Sequence, residues 1–237
     1  MTRQESPNRE LLEAVARRLG PLLTEVVFVG GQVAELVITD PAAVRIRPTT
    51  DVDAVIDVTT RSRLAALEER MRALGFRNDI APGAPICRWS SPDGHVLDLM
   101  PADAKILGFS NRWYAHALAR PLEYELLEGL RIRIPTAPVF VATKLEAFRG
   151  RGDEDLLRSH DLEDVISVVA GRAELPGELE AEPSDLRQWL RDSVAELLDH
   201  KDFSYAVQGA LPDASTMLEY LEAVRRRFEL LASPPRT

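Results

Sequence analysis

Cysteine is almost absent: Cys87 is the only one in 237 residues. That excludes an intrachain disulfide framework and makes a reducing, cytoplasmic setting the expected one. Cys87 itself reads as a buried small hydrophobe rather than a nucleophile. Long apolar runs are also missing. No stretch approaches the roughly 18 residues needed to span a bilayer, and residues 1–10 are polar, without the apolar region of a secretory leader. No membrane partner is expected. Excess positive charge is lacking too: 29 Lys and Arg stand against 38 Asp and Glu, a net charge of −9. Such a balance excludes a protein that coats nucleic acid through bulk charge. Lysine is scarce even among the basic residues. Only Lys105, Lys144 and Lys201 are present, which draws attention to each.

What is present is an ordinary globular composition, 45% hydrophobic and 28% charged. The length suits one large domain or two small ones. Charge is unevenly placed. Residues 1–150 hold 19 basic and 19 acidic side chains, whereas residues 151–200 hold 5 and 14. The acidic stretch is expected either to limit unwanted RNA binding or to meet a basic partner.

Periodicity gives a coarse map. Ser6-Pro7, then Leu11, Leu12, Val15 and Leu19, predicts a capped amphipathic helix that stops near Gly20. A short buried strand over 26–29 runs into Gly30-Gly31 and a short helix over 32–38. An apolar strand spans 52–58, and a helix 62–74 with Gly75 at its C-cap follows. Residues 86–90 and 95–100, joined by Ser91-Pro92-Asp93-Gly94, read as a β-hairpin. A strand over 131–134 precedes a helix to Phe148, and Ser159 caps another that Gly171 stops. Residues 172–183 read as a linker or exposed turn, and 184–199 and 213–232 as helices. The expected organisation is an α/β domain over 1–171 and a helical region over 172–237.

The most informative stretch is Arg47-Pro48-Thr49-Thr50-Asp51-Val52-Asp53 and the apolar residues after it. On a strand, residues i and i+2 share a face, so Asp51 and Asp53 project together. Carboxylates that close repel unless a cation neutralises them, and Mg2+ suits an oxygen donor set. Asp98 lies in a second apolar strand, where an uncompensated carboxylate is costly. Gly30 and Gly31 sit between a strand and a helix, where backbone N–H groups can approach a phosphate. Lys144 lies on a helix and is expected to reach a triphosphate. Arg47, Thr49, Arg149 and Arg151 are phosphate-binding candidates beside the simpler reading as loop residues. Asn111-Arg112-Trp113-Tyr114 reads either as core or as a stacking platform for an acceptor.

Gly-Gly, then Arg-x-Thr-x-Asp-Val-Asp, then one Asp on a later strand, resembles the DNA polymerase β-type nucleotidyltransferases. Within that superfamily it is most similar to the AbiEii/AbiGii toxin-like enzymes. Lys144-Leu145-Glu146-Ala147 and Ser159-His160-Asp161-Leu162-Glu163-Asp164 resemble that family's two later motifs, with His160 where Arg or Lys is common. The resemblance covers about residues 25–170. It implies an α+β fold: a polymerase β-like mixed sheet flanked by helices, with a helical C-terminal part. It implies that Asp51, Asp53 and Asp98 hold Mg2+, or Mn2+ in its place, and that Asp98 also serves the acceptor hydroxyl. It implies that Gly30, Gly31, Arg47, Thr49, Lys144, Arg151 and Asp161 bind the nucleotide. Asn111, Arg112, Trp113, Tyr114 and His160 would meet the acceptor. The implied reaction moves a nucleoside monophosphate from a nucleotide triphosphate to an acceptor hydroxyl, a tRNA 3′ end among the candidates, and releases pyrophosphate. An antitoxin protein is an implied partner. The rival readings are a nucleotide-sensing or partner-binding module on the same fold, and a metal-dependent phosphohydrolase.

Overall fold

The computed structural model describes residues 6–40, 46–150, 155–211 and 217–234. They divide into two compact units, one of residues 1–33 and 47–136, the other of 34–46 and 137–237. This differs from the division expected at residue 171. The helices over 137–171 group with the C-terminal helices, because they bury their apolar faces against them.

The first unit begins with α1 (Pro7–Leu19). Ser6 accepts from the Arg9 amide at 3.2 Å, Pro7 occupies the first turn, and Leu12, Val15, Ala16 and Leu19 form the buried stripe. A 3-10 turn leads into β1 (Val26–Phe28), which is buried throughout. The next helix, α2 (Gly31–Val37), carries the chain from the first unit into the second. The chain returns as β2 (Asp51–Ile56), then α3 (Arg61–Ala73), whose N-cap is Thr60 and after which Gly75 turns at φ 88°. Three strands follow: β3 (Arg77–Asn78), β4 (Arg88–Ser90) and β5 (Val96–Pro101). The expected hairpin is β4–β5, closed by the Ser91 amide on the His95 carbonyl at 2.8 Å.

The sheet order is β1-β2-β5-β4-β3, with β2 and β5 parallel and every other pair antiparallel. Val52, Val55, Leu97 and Phe28 are fully buried around it. Two short helices, α4 (Ala104–Leu107) and α5 (Tyr114–Ala119), and a separate hairpin of β6 (Leu122–Leu127) and β7 (Leu130–Ile134) complete this unit. Sequence reading missed α4, α5 and β6. The β6 strand is mostly exposed, with Leu126 its one buried residue, so it lacks the apolar run that marks the inner strands.

The second unit is helical: α6 (Ala137–Gly150), α7 (His160–Gly171), α8 (Leu175–Leu179), α9 (Ser184–Asp199), α10 (Phe203–Ala210) and α11 (Met217–Ala232). The stretch expected as a linker contains α8, which is pinned by buried Leu175 and Leu179. Ser159 caps α7 as expected, accepting from the Leu162 amide at 3.3 Å. The core includes Phe140, Leu145, Val165, Leu190 and Val194, and Phe203 meets Phe228 edge to face at 5.0 Å. The end of α2 is tied into this unit by Arg172, which donates to the Val37 carbonyl at 2.6 Å. Gly171 is required there, since a Cβ would lie 2.8 Å from Ile38. Among the described residues no helix is long and apolar enough to cross a membrane.

Candidate functional site

Strand register builds an acidic row on one face of the sheet. Asp53 on β2 stands directly opposite Asp98 on the parallel neighbour β5, and Asp98 stands opposite Arg88 on β4. Directly opposed residues share a face, so Asp53, Asp98 and Arg88 project together across three strands. Asp51, two residues before Asp53, joins them. The row is partly sheltered: the side chains of Asp98, Arg88 and Asp51 are 10%, 26% and 34% exposed.

Arg88 was not among the expected site residues, and it organises the row. Its Nε donates to Asp98 Oδ1 at 2.9 Å, and its Nη2 donates to Asp98 Oδ2 at 2.8 Å and to Asp51 Oδ2 at 3.0 Å. A two-pronged guanidinium–carboxylate pair of this kind is both strong and directional. The hydrogen bond to Asp98 is the first cause of an Arg88 pKa raised above its ordinary value, so its charge is permanent. The signal for Arg88 was in the sequence: counting back through the 91–95 turn of the hairpin sets it opposite Asp98.

Asp53 turns the other way, toward Gly30. A Cβ on Gly30 would lie 2.4 Å from Asp53 Oδ2 and 2.4 Å from Gln32 Oε1. A side chain at this position would require the ends of Asp53 and Gln32 to shift. Gln32 is 1% exposed, and its Oε1 has no hydrogen-bond donor among the described residues. Its Nε2 reaches the Asp53 carbonyl at 3.5 Å. The backbone of Val29 also donates to that carbonyl at 3.0 Å, which locks the Gly30 turn to β2.

Buried Asn8 fixes the approach to the acidic pair. Its Nδ2 donates to the Arg47 carbonyl at 2.9 Å, and its Oδ1 accepts from the Thr49 amide at 2.8 Å. Arg47 and Thr49 thus lie on a segment braced by α1. No sequence signal connects Asn8 to them, because the pairing spans about forty residues of chain.

Two members of the expected acceptor platform are buried, in line with their other reading as core. Trp113 is 4% exposed and packs edge-on against His116 with ring centroids 5.0 Å apart. Its face is not offered to a base. Asn111 is buried, and its Oδ1 accepts from the Trp113 amide at 3.0 Å, a local turn contact. Tyr114 is half-buried and donates to Met100 Sδ at 3.3 Å, while Arg112 is exposed with its guanidinium 5.9 Å from the Trp113 ring. Cys87, next to Arg88, is buried as expected. Burial, and then the Asp98 carboxylate, push its thiol up to about 11.

In the second unit, Lys144 on α6 meets α7. Its Nζ lies 2.7 Å from Asp164 Oδ2 and 3.3 Å from Asp161 Oδ1. All three side chains are nearly buried, at 12%, 6% and 6% exposed. Asp161 and Asp164 are three apart on one helix, hence on one face. Asp161 and Lys144 were both expected at the nucleotide, whereas Asp164 was not singled out. His160 is exposed and lies 3.3 Å from Glu163, on the rim of a cavity of about 200 Å³ lined also by Arg158 and Tyr205. Arg149 pairs with Glu196 and lies over Trp189 at 5.2 Å. Arg151 lies outside the described residues.

The all-carboxylate donor set suits Mg2+ by type. The arrangement does not suit it. Asp98 and Asp51 are engaged by Arg88, Asp53 faces Gly30, and among the described residues no group of three or more His, Cys, Asp or Glu is disposed to hold a metal ion.

A five-stranded mixed sheet with acidic residues on two neighbouring parallel strands, accompanied by helices, defines a nucleotidyltransferase-like fold. The chain is similar to the crystal structure of an antigenic nucleotidyltransferase-like protein from Paracoccidioides brasiliensis. The two share 19% identity and a TM-score of 0.51, over 90% of this chain and 97% of that one. No protein-family model matches the chain, and no curated protein matches it in sequence.

Proposed function

We propose that this protein is a nucleotidyltransferase that moves a nucleoside monophosphate from a nucleotide triphosphate to an acceptor hydroxyl and releases pyrophosphate. The observation that supports this reading best is the registered row of Asp51, Asp53 and Asp98 on one sheet face of a nucleotidyltransferase-like fold. Three convergent acids are more than a binding surface requires. Such transfers are catalysed largely by positioning and by charge stabilisation. In this reading Asp51 and Asp53 set the charge of the site, and Asp98 faces the acceptor hydroxyl. The segment of Arg47 and Thr49, Gly30 and Gly31 belong to the nucleotide side. Lys144, held by Asp161 and Asp164, supplies counter-charge to the triphosphate, and Arg151 is proposed with it. Arg112, Tyr114 and His160 remain candidates for the acceptor. Dependence on Mg2+, or on Mn2+, is proposed from the motif resemblance alone, since Arg88 engages Asp98 and Asp51.

The motif resemblance to the AbiEii/AbiGii toxin-like enzymes extends the proposal to an RNA acceptor such as a tRNA 3′ end, an antitoxin partner and a cytoplasmic setting. The test is incubation with each labelled nucleotide triphosphate, divalent cation and total cellular RNA and protein. Pyrophosphate release and label in one fraction are expected from the wild-type chain and not from Asp51→Asn/Asp53→Asn. Identical traces from both across all acceptors would sink the reading. One observation favours a nucleotide-sensing module instead: Arg88 already neutralises Asp98. Tight nucleotide binding without turnover would decide for it.

A further inference from the structure

Phenylalanine is kept inside this protein with one exception. Of seven in the chain, all but Phe109 are 7% exposed or less, whereas Phe109 is 45% exposed. The loop that carries it is fixed on both sides. Before it, Gly108 ends α4 in the left-handed region at φ 85°, with its amide on the Ala104 carbonyl at 2.8 Å. After it, Ser110 Oγ donates to the Ala102 carbonyl at 2.7 Å, and buried Asn111 accepts from the Trp113 amide at 3.0 Å. Ile106 and Trp113 are the buried anchors of the segment, and they leave the Phe109 ring outside.

The charge around this ring has one sign. Residues 104–120 carry Lys105, Arg112 and Arg120 and no Asp or Glu, in a chain whose net charge is −9. Lys105 stands on α4, about one helical turn before Phe109. It is exposed, and its ammonium has no ion pair among the described residues. The segment is tied to the sheet face that bears the acidic row. Tyr114 donates to Met100 Sδ at 3.3 Å, and Met100 lies two residues after Asp98 on β5, hence on the same face.

We propose that Phe109 and Lys105 form a docking patch for single-stranded nucleic acid. Phe109 stacks on an unpaired base, and Lys105 meets a backbone phosphate. A ring beside a cation is the pairing that such strands use, because every base has a face to stack and every linkage a charge to meet. A protein partner would call for a contiguous apolar centre. Here the chain neighbours of the ring are Gly108, Ser110 and the exposed Arg112. The patch rests on the nucleotidyltransferase reading only in taking the bound strand as the acceptor.

The experiment uses the full chain without nucleotide triphosphate or divalent cation. Dye-labelled oligouridylate and oligothymidylate of about twelve residues are titrated at low salt and followed by fluorescence anisotropy. Phe109→Ala should weaken binding by about tenfold, and Phe109→Trp should keep it. Lys105→Gln should reduce the slope of log affinity against log salt by about 0.7, the share of one phosphate contact on a single strand. Ile80→Ala removes an apolar side chain that is 92% exposed elsewhere on the same unit, and should change nothing. Circular dichroism establishes that each variant is folded. Binding of either strand supports the patch, and the tighter of the two names the natural one. The proposal is overturned if neither strand binds, if a duplex of the same length binds as tightly, or if Phe109→Ala weakens binding no more than Ile80→Ala. The transferase reading fails separately: a chain that binds the strand but releases no pyrophosphate defeats that reading and leaves the patch standing.

Discussion

Two charge clusters in this protein use the same ingredients and reach different states. The sheet-borne cluster sets Asp51, Asp53 and Asp98 against Arg88. The helix-borne cluster sets Asp161 and Asp164 against Lys144. The first is partly open to water at Asp51 and Arg88, and its guanidinium is shared by Asp98 and Asp51. The second is nearly buried, with an ammonium between two acids three residues apart. Burial raises the cost of any unpaired charge, so the helix cluster tolerates little change. Where the sheet cluster is partly exposed, at Asp51 and Arg88, water screens its charges. One arrangement ties two helices together, and the other ties strands of the sheet and keeps part of its charge in water.

The sharpest test of that contrast is functional. Asp51→Asn/Asp53→Asn should lower pyrophosphate release by about a hundred- to a thousandfold, the range expected when transition-state charge stabilisation is removed, while the urea midpoint barely moves. A large loss of stability with it would mean that Asp51 and Asp53 hold the sheet together, as Asp161 and Asp164 hold α6 to α7. The reverse is expected of the helix cluster. Lys144→Met leaves two buried carboxylates without their cation and should cost about 3–5 kcal/mol in urea unfolding. Adding Asp161→Asn and Asp164→Asn should restore most of it, because the pair is then replaced rather than broken. Arg88→Gln should cost less, about 1–3 kcal/mol, as Asp51 keeps water and Arg88 itself is only partly buried. Equal losses at Lys144 and Arg88 would erase the distinction.

The two clusters were also unequally legible. Asp51 and Asp53 share a face because a strand alternates, and that follows from sequence spacing alone. The strands that bear them, the hairpin of β4 and β5, and the Ser6 and Ser159 helix caps followed from local chemistry in the same way. Lys144 and Asp161 were linked only through resemblance, as residues of one nucleotide site, because nothing local says which helix α6 packs against. Arg88 needed one further step, from the hairpin turn to cross-strand register. Asn8 was out of reach, because its contact with Arg47 and Thr49 is made by tertiary packing. Trp113 kept two readings in the sequence because a ring next to Arg and Asn looks the same there whether it faces solvent or His116. The division of the chain was hidden for a related reason: helix α8 lies in a Glu- and Pro-rich stretch, and only its two buried leucines tie it down.

Gly30 offers a smaller test within the sheet cluster. Gly30→Ala should cost about 1–3 kcal/mol, the usual penalty of forced overpacking, because a methyl group would meet Asp53 and Gln32 at 2.4 Å. If the crowding is real, Gln32→Ala in the same chain should recover part of the loss, and thermal melts of the single and double variants would show it. An additive double variant would mean that the glycine serves the backbone alone.

The smallest effect comes from Cys87, which reports on the row without belonging to it. Its thiol is raised from 9.0 to about 11, first by burial and then by Asp98. Below pH 9 the folded and unfolded thiols are both protonated, so its contribution to stability is fully present. As pH rises toward about 11 the unfolded chain loses the proton first, and that contribution is lost. Alkylation by iodoacetamide at pH 8 should accordingly be slow in the folded chain and fast in urea. Asp98→Asn removes the second cause but not the first. It should therefore speed alkylation only modestly, by about threefold, which corresponds to about half a pKa unit. An effect as large as unfolding would mean that charge, not burial, holds the thiol protonated. The sheet cluster would then be drier than its partial exposure implies, and closer in kind to the lysine cluster between the helices.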